Sequence, residues 1–390
     1  MNDRERFVNQ MHYRPVDRCP IWDFGFWTET IRVWERYGLP EGVNTDEFFG
    51  MDQPWRVMHV DIGLRPCFQD KQVADEGETE VVMDAAGVTF RRRKFLGTIP
   101  HYIDWTLKDR KSWREHFAWR LDPDTPGRIP ETWVADCRRH ADAQRDYPLG
   151  ISGGSLYGWL RNWMGVENLS LQIYDDPTLF PEMVETLGNL FCTVLERALK
   201  AAKEVGCTFD YASLWEDMCY NRGPLISPKL VRDVMGPSYR RLTDLLRRYG
   251  CDVVVLDCDG KVDDLIPVWM DHGVNVAFPL EVGTWGADPI AYRQRFGREL
   301  LIMGGFDKRI LARGREAIRN EVERLAPLAE EGGFIPFCDH RVPADVPLEH
   351  YLYYLDQAKA IWGRGINVRP TGRITANAFE GRAYRWDVRM

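Results

Sequence analysis

Six short apolar runs punctuate the later part of this 390-residue chain, and their spacing constrains the fold more than any other feature. They are Pro148–Ser152, Cys207–Leu214, Cys251–Leu256, Val274–Pro279, Leu300–Met303 and Gly333–Phe337. Short, continuously apolar, β-branched runs are the pattern of parallel strands covered on both faces. Helical periodicity separates them. From Pro177 to Val205, Phe180, Val184, Leu187, Phe191, Val194, Ala198 and Ala202 recur at three- and four-residue steps, behind an Asp176–Pro177 start. A second helix carries Ile318, Val322, Leu325 and Ala329 and stops at Gly332–Gly333; a third, Ser227–Tyr249, should break or kink at Pro237. Two further candidate strands, near Arg18–Asp23 and Val57–Ile62, bring the total to eight. The alternation predicts the α/β class and, within it, a (β/α)8 TIM barrel. Neither GxGxxG nor GxxxxGK[ST] follows a strand, which removes the usual nucleotide signatures of open sheets. VADEGETEVVMDAAGVTFRRRKF alternates around a Gly-containing turn and reads as an N-terminal β-hairpin insertion. Without a linker or repeat, the expectation is one barrel domain over residues 1–365 and a tail over 366–390.

Charge and cysteines narrow the class of partner. Fifty-one basic against 59 acidic residues give a net charge of -8, the wrong sign for a sequence-independent nucleic-acid binder. The nine cysteines are scattered with no CxxC pair, as expected of reduced thiols. No apolar stretch approaches membrane-spanning length, and the N-terminus MNDRERFVNQMHYRP has charges where a secretory signal has its apolar core. A cytoplasmic protein acting on a small molecule is expected, with neither nucleic acid nor membrane as partner.

In a barrel, chemistry collects on the loops beyond the strands' C-terminal ends. Five such ends carry acids here: Glu216–Asp217, Asp257 and Asp259, Glu281, Asp307, and Asp339. One acid at a loop start is commonly a helix cap, but five in succession share their loops with Lys308, Arg309, Cys338, His340 and Arg341. Converging carboxylates repel unless something compensates. Two solutions are open: Lys308, Arg309 and Arg341 pair with the acids to form a polar substrate cradle, or Asp257, Asp259 and Cys338, with Glu216 or His340 as a further ligand, hold a divalent metal, zinc being the ion these ligand types suit. Gly153–Gly154–Ser155 follows a strand and opens a helix, a geometry able to offer backbone N–H groups to an anion. Arg161, between Trp159 and Trp163, either stacks on a ring or pairs with a substrate. The dense aromatic segment from Trp22 onwards can pack a core or wall a pocket.

The strand-end strings carry a resemblance. GGSLYGWLRNWMGVENL, LWEDMCYNRGPLISP, DCDGKVDDLIPVW, PLEVG, GGFDKR and GGFIPFCDHRVPADVPLEHYLYYL together resemble the uroporphyrinogen decarboxylase superfamily, as does the opening RERFVNQMHYRPVDRCPIWDFGFW. The resemblance implies a (β/α)8 barrel with a deep pocket at its mouth. True uroporphyrinogen decarboxylases open with an arginine-rich RQAGR string that grips carboxylates; PIWDFGFWTET stands here, and a pocket lined with aromatics and acids repels a polycarboxylate. The branch more closely resembled comprises methyltransferases that work with corrinoid proteins. Its zinc-dependent members bind metal through His-x-Cys-Gly and a later Cys; the matching positions here are Asp257-Cys258-Asp259-Gly260 and Cys338, a harder ligand set. The resemblance thus implies methyl transfer between a small methylated or methoxylated compound and a corrinoid protein or other acceptor, the corrinoid coming from a partner because the chain has no DxHxxG string. The alternative is a carboxy-lyase acting on a small acid, with Arg309 and Arg341 holding the carboxylate. The residues expected to do the chemistry are Glu216, Asp257, Asp259, Lys308 and His340. Those expected to bind substrate are Trp22, Asp23, Trp27, Arg161, Trp215, Glu281, Arg309 and Arg341.

Overall fold

A computed structural model describes residues 1–94, 100–283 and 285–374. The expected tail over 366–390 therefore lies outside the described residues from 375 onward. The central sheet has seven parallel strands, in the order β1, β6, β7, β10, β11, β12, β13. They run Arg56–Met58 (β1), Leu149–Gly154 (β6), Tyr211–Trp215 (β7), Val254–Asp257 (β10), Val276–Leu280 (β11), Leu301–Phe306 (β12) and Phe334–Cys338 (β13). The insertion is larger than a hairpin: β2 (Lys71–Asp75), β3 (Thr79–Met83), β4 (Val88–Arg93) and β5 (His101–Trp105) form an antiparallel sheet of their own. The expected hairpin is its centre, β3–β4, turned at Asp84, whose carboxylate accepts from the N–H groups of Ala86 and Val88. A two-stranded ribbon, β8 (Cys219–Tyr220) and β9 (Gly223–Pro224), follows β7.

The helices fall where periodicity places them, at Leu179–Glu204 and Arg315–Glu331 for the two longest patterns. Pro237 stands in the first turn of the helix Gly236–Arg248, where a missing N–H costs nothing, and the π-turn Val231–Met235 precedes it. Among the described residues no helix is long and apolar enough to cross a membrane.

The sheet is rolled. Laid flat, its outer strands would stand roughly 29 Å apart at the ordinary strand spacing. Instead a single indole touches both edges: Trp22 stacks on Trp55, beside β1, at 4.6 Å and meets Phe337 of β13 edge-on at 4.9 Å. The expected eighth strand, Arg18–Asp23, is corrected here, because among the described residues no ladder closes the sheet. The segment fills the gap as a chain whose side chains alternate up to Phe24: Ile21 joins the outer core and Asp23 meets Tyr351 there, while Trp22 and Phe24 join the interior cluster; Gly25, at φ +105°, interrupts the alternation, and Phe26 packs on the outer core. Its backbone bonds go elsewhere. Ile21 exchanges two with Asp52, from N–H to carboxylate and from Asp52 N–H to carbonyl, and Phe26 forms an isolated bridge with Val342. Inside the roll, Tyr211, Val253, Val255, Val276, Leu301, Met303, Ile335 and Phe337 pack against Phe7 and Met11 of the N-terminal helix Asp3–Met11, which closes the bottom.

What fastens the ladder-free segment is the Arg18–Asp52 pair. Arg18 Nη1 and Nη2 both reach the carboxylate, and both side chains are buried. Asp52→Ala leaves a buried guanidinium unpaired and removes the acceptor of Ile21, so a loss of about 3–5 kcal/mol is expected in urea unfolding.

Candidate active site at the C-terminal mouth

Side-chain parity along the strands decides what faces the mouth. Asp257 pairs in register with Trp215 of β7 and Phe278 of β11, so the three form an inward row above Val255. Phe24, Trp22, Phe278 and Phe337 make an aromatic floor, with Phe24 and Phe278 edge-on at 5.1 Å. Asp257 is half-buried, and its carboxylate has no hydrogen-bond partner among the described residues. Burial pushes its carboxyl well above the usual range; repulsion from Asp259, Asp217 and Glu281 pushes the same way, and only Arg341 opposes.

Around this acid the other strand ends converge. Asp259 Oδ2 lies 3.4 Å from His340 Nε2. Arg161 Nη2 donates to Asp217 Oδ2 at 3.1 Å, and Asp217 itself adopts a left-handed backbone at φ +43°. Burial raises the Asp217 carboxyl against the pull of Arg161. Arg341 is exposed and has no acidic partner among the described residues; its guanidinium lies over the rings of Trp27 and Phe24 at 5.4 and 5.8 Å. Lys308 stands between Asp339 at 3.3 Å and Glu281 at 3.8 Å. Glu281 also accepts from the Gly260 N–H and from Trp285 Nε1, tying the β10 and β11 loops together. Asp339, fully buried, accepts from the N–H groups of Val282, Gly283 and Lys308 and so pins three loops at once.

Four expectations need correction. Glu216 is not at the mouth: it points outward from β7, is fully buried, and accepts from the Ser155 hydroxyl, the Leu156, Tyr157 and Gly158 N–H groups and the Tyr239 hydroxyl. The anion that Gly153–Gly154–Ser155 and the following helix hold is thus the protein's own carboxylate, not a ligand. Cys338 is one residue past inward-facing Phe337, so it points outward, paired in register with Phe306 and in contact with Tyr354 and Asp23. Asp257, Asp259 and Cys338 therefore do not converge, and among the described residues no three His, Cys, Asp or Glu side chains gather as a metal set. The expected zinc ligands do not fit together. Asp23 shares that outer pocket, taking the Tyr351 hydroxyl at 2.8 Å and the Phe24 N–H at 2.7 Å, and Arg309 folds back onto Asp307 at an exposed position. Trp215 stays inward, packed over Gly158, where a Cβ would strike its ring at 2.5 Å.

Beside the acids opens a cavity of about 530 Å³, lined by the polar Arg161, Asp217 and Asp259 together with the aromatic Tyr102, Trp105 and Tyr220. Phe24, Asp217, Tyr102 and Trp105 are site residues that sequence reasoning left out. Asp217 was visible as a strand-end acid, and Phe24 lies in the dense aromatic segment; nothing in the sequence signalled that the insertion would reach the mouth.

The uroporphyrinogen decarboxylase (URO-D) family model matches residues 158–361, just over half of the chain. The chain belongs to the uroporphyrinogen decarboxylase family. The matched region carries every strand end from β7 to β13 that meets at the mouth. A solved methyltransferase from Methanosarcina mazei is similar over 92% of this chain and 99% of its own, at 14% identity and a TM-score of 0.57, which shows a shared fold. A candidate vitamin-B12-independent methionine synthase from Listeria monocytogenes aligns over 59% of this chain and 70% of its own, at 13% identity and a TM-score of 0.32, too distant to carry an argument. No curated protein matches.

Within this uroporphyrinogen decarboxylase family member, burial raises Asp23 to about 7, against the donors Tyr351 and Phe24. The folded state therefore holds this proton more tightly than the unfolded chain, so the contribution is complete below the unfolded pKa of 3.8 and is lost as pH rises through about 7. Melting followed from pH 4 to 8 is expected to show the wild type losing stability relative to Asp23→Asn across that window.

Proposed function

We propose that this protein is an enzyme that removes a methyl group from a small methylated compound, a methyl ether fitting best, and passes it to an acceptor presented at the mouth. The observation that carries the reading is Asp257: an inward-facing carboxyl beside an aromatic floor, without a hydrogen-bond partner among the described residues and with its pKa held well above the usual range. Methyl leaves an ether only when the departing oxygen is protonated or bound to a Lewis acid. Asp257 supplies that proton from within the chain. In the step, the acceptor's electron pair forms the new bond to methyl while the carbon–oxygen bond breaks. The Asp257 proton moves to the leaving oxygen, and the products are an alcohol or phenol, the methylated acceptor and the Asp257 carboxylate. Arg341, whose attraction already favours the charged form, stabilises that carboxylate until solvent returns a proton. A corrinoid bound to a partner protein supplies the methyl acceptor in this reading. The fold shared with a methyltransferase supports it.

The carboxy-lyase alternative loses ground on one residue. It needs Arg309 and Arg341 together on a carboxylate, and Arg309 is occupied by Asp307. No step is assigned to zinc, since the expected ligands face different ways.

Methyl transfer from a methyl ether to free cob(I)alamin, followed by its visible spectrum, tests the reading. Asp257→Asn is expected to lower kcat by ~10²-fold or more with folding intact. The wild-type rate should fall as pH rises through the raised Asp257 pKa, because the protonated form is the competent one. A variant rate within threefold of wild type overturns the assignment.

A further inference from the structure

The antiparallel insertion has no evident part in the methyl-transfer reading, yet it supplies one wall of the 530 Å³ cavity. Its last strand, β5, places Tyr102 and Trp105 there with rings 6.1 Å apart and only 27° from parallel. Trp105 is seated by a glycine: at Gly165, with φ +82°, a Cβ would meet the indole at 3.0 Å. The indole therefore lies against bare backbone at the junction of the helices Tyr157–Met164 and Val166–Asp175. Tyr102, Val166 and Tyr220 complete an apolar wall that is exposed to solvent, a costly arrangement unless something covers it.

The same cavity also has a polar lining. Arg161, Asn162, Asp217 and Asp259 contribute to it, and two of their enclosed atoms, Arg161 Nε and Asp259 Oδ1, have no hydrogen-bond partner among the described residues. Such atoms are rare in folded proteins and mark a lining still short of partners. A guest that satisfies both kinds of lining has a flat apolar face and carries an oxygen substituent. The volume suits one or two rings.

Resting on the methyl-transfer reading, we infer that the substrate is an aryl methyl ether, and that Tyr102 and Trp105 of the insertion are specificity-determining residues that stack on its ring. The insertion is then a recognition module, and Asp259 stands at the boundary between the ring's cavity and the inward-facing Asp257 two residues before it. The class is defined by shape: an aromatic ring with a methoxy group and a neighbouring hydroxyl satisfies the stack and the polar lining together, whereas a saturated ring of equal size offers no flat face.

Calorimetric titration with 2-methoxyphenol and with 2-methoxycyclohexanol tests this on the full chain. The aromatic probe is expected to bind at least threefold more tightly than the saturated one. Tyr102→Ala should weaken it by roughly three- to tenfold, the range of an aromatic stacking contact, and Tyr102→Phe should restore it. Equal affinity for the two probes, or unchanged binding by Tyr102→Ala with its melting temperature intact, overturns the inference. Selective ring binding without any demethylation would leave this site standing and defeat the methyl-transfer reading. Demethylation of both ethers alike would do the reverse.

Discussion

A carboxylate that never meets substrate holds the mouth in shape. Glu216 collects five donors, from the Ser155 hydroxyl, three successive backbone N–H groups and the Tyr239 hydroxyl. A buried charge without such compensation would cost several kcal/mol, so the end of β7, the start of the helix Tyr157–Met164 and the helix Gly236–Arg248 are held in one arrangement. Burial pushes the Glu216 carboxyl up while the donors pull it down. The next residue, Asp217, must leave this anchor on the opposite side of the chain, and it does so at φ +43°, an uncommon conformation for a non-glycine residue. That turn carries its carboxylate to Arg161 and the cavity, so a buried carboxylate on the outside of the sheet aims the next one toward the mouth.

The acids at the mouth survive as neighbours because each is handled differently. Asp217 has Arg161, Asp259 has His340, Glu281 has two N–H donors and a lysine at 3.8 Å, and Asp339 has three N–H donors. Asp257 alone has none of these. With every nearby cation but Arg341 committed elsewhere, its cheapest course is to keep its proton. The raised acid is therefore a product of the whole rim, and a change at Asp259 or Asp217 acts on Asp257 through space without touching it.

Much of this was legible before any coordinates. The six runs all became strands, the acids did gather, and the two long helices ended within two residues of their expected limits. What went wrong was mostly parity. Phe337 and Cys338 are adjacent, so both cannot face the interior; Val253, Val255 and Asp257 share a side, which puts Asp257 inside. Strand period 2 contains that information, but a strand read only as an apolar run discards it. The eighth strand failed for another reason. Arg18–Asp23 has the alternation of a strand, yet the backbone partners of Ile21 lie on Asp52, a long-range capture that no local pattern encodes. Glu216 and Asp257 also illustrate the limit of residue type: each ends a strand, and only the number of donors around it separates an anchor from an acid.

The location of the insertion bears on which parts of the mouth can vary independently. Phe24, Phe278, Phe337 and Trp22 are built by the rolled sheet and the N-terminal segment, and they supply an apolar aromatic floor. Discrimination between guests needs contacts further out, where the substituents of a bound molecule differ. β5 meets the rolled sheet's helices where the indole of Trp105 lies on Gly165, and neither Tyr102 nor Trp105 bonds to the Glu216 anchor or pairs with the Asp257 row. The inward acid row thus belongs to the parallel strands that generate the rolled sheet, and the aromatic lining of the cavity beside it to an antiparallel sheet inserted between β1 and β6.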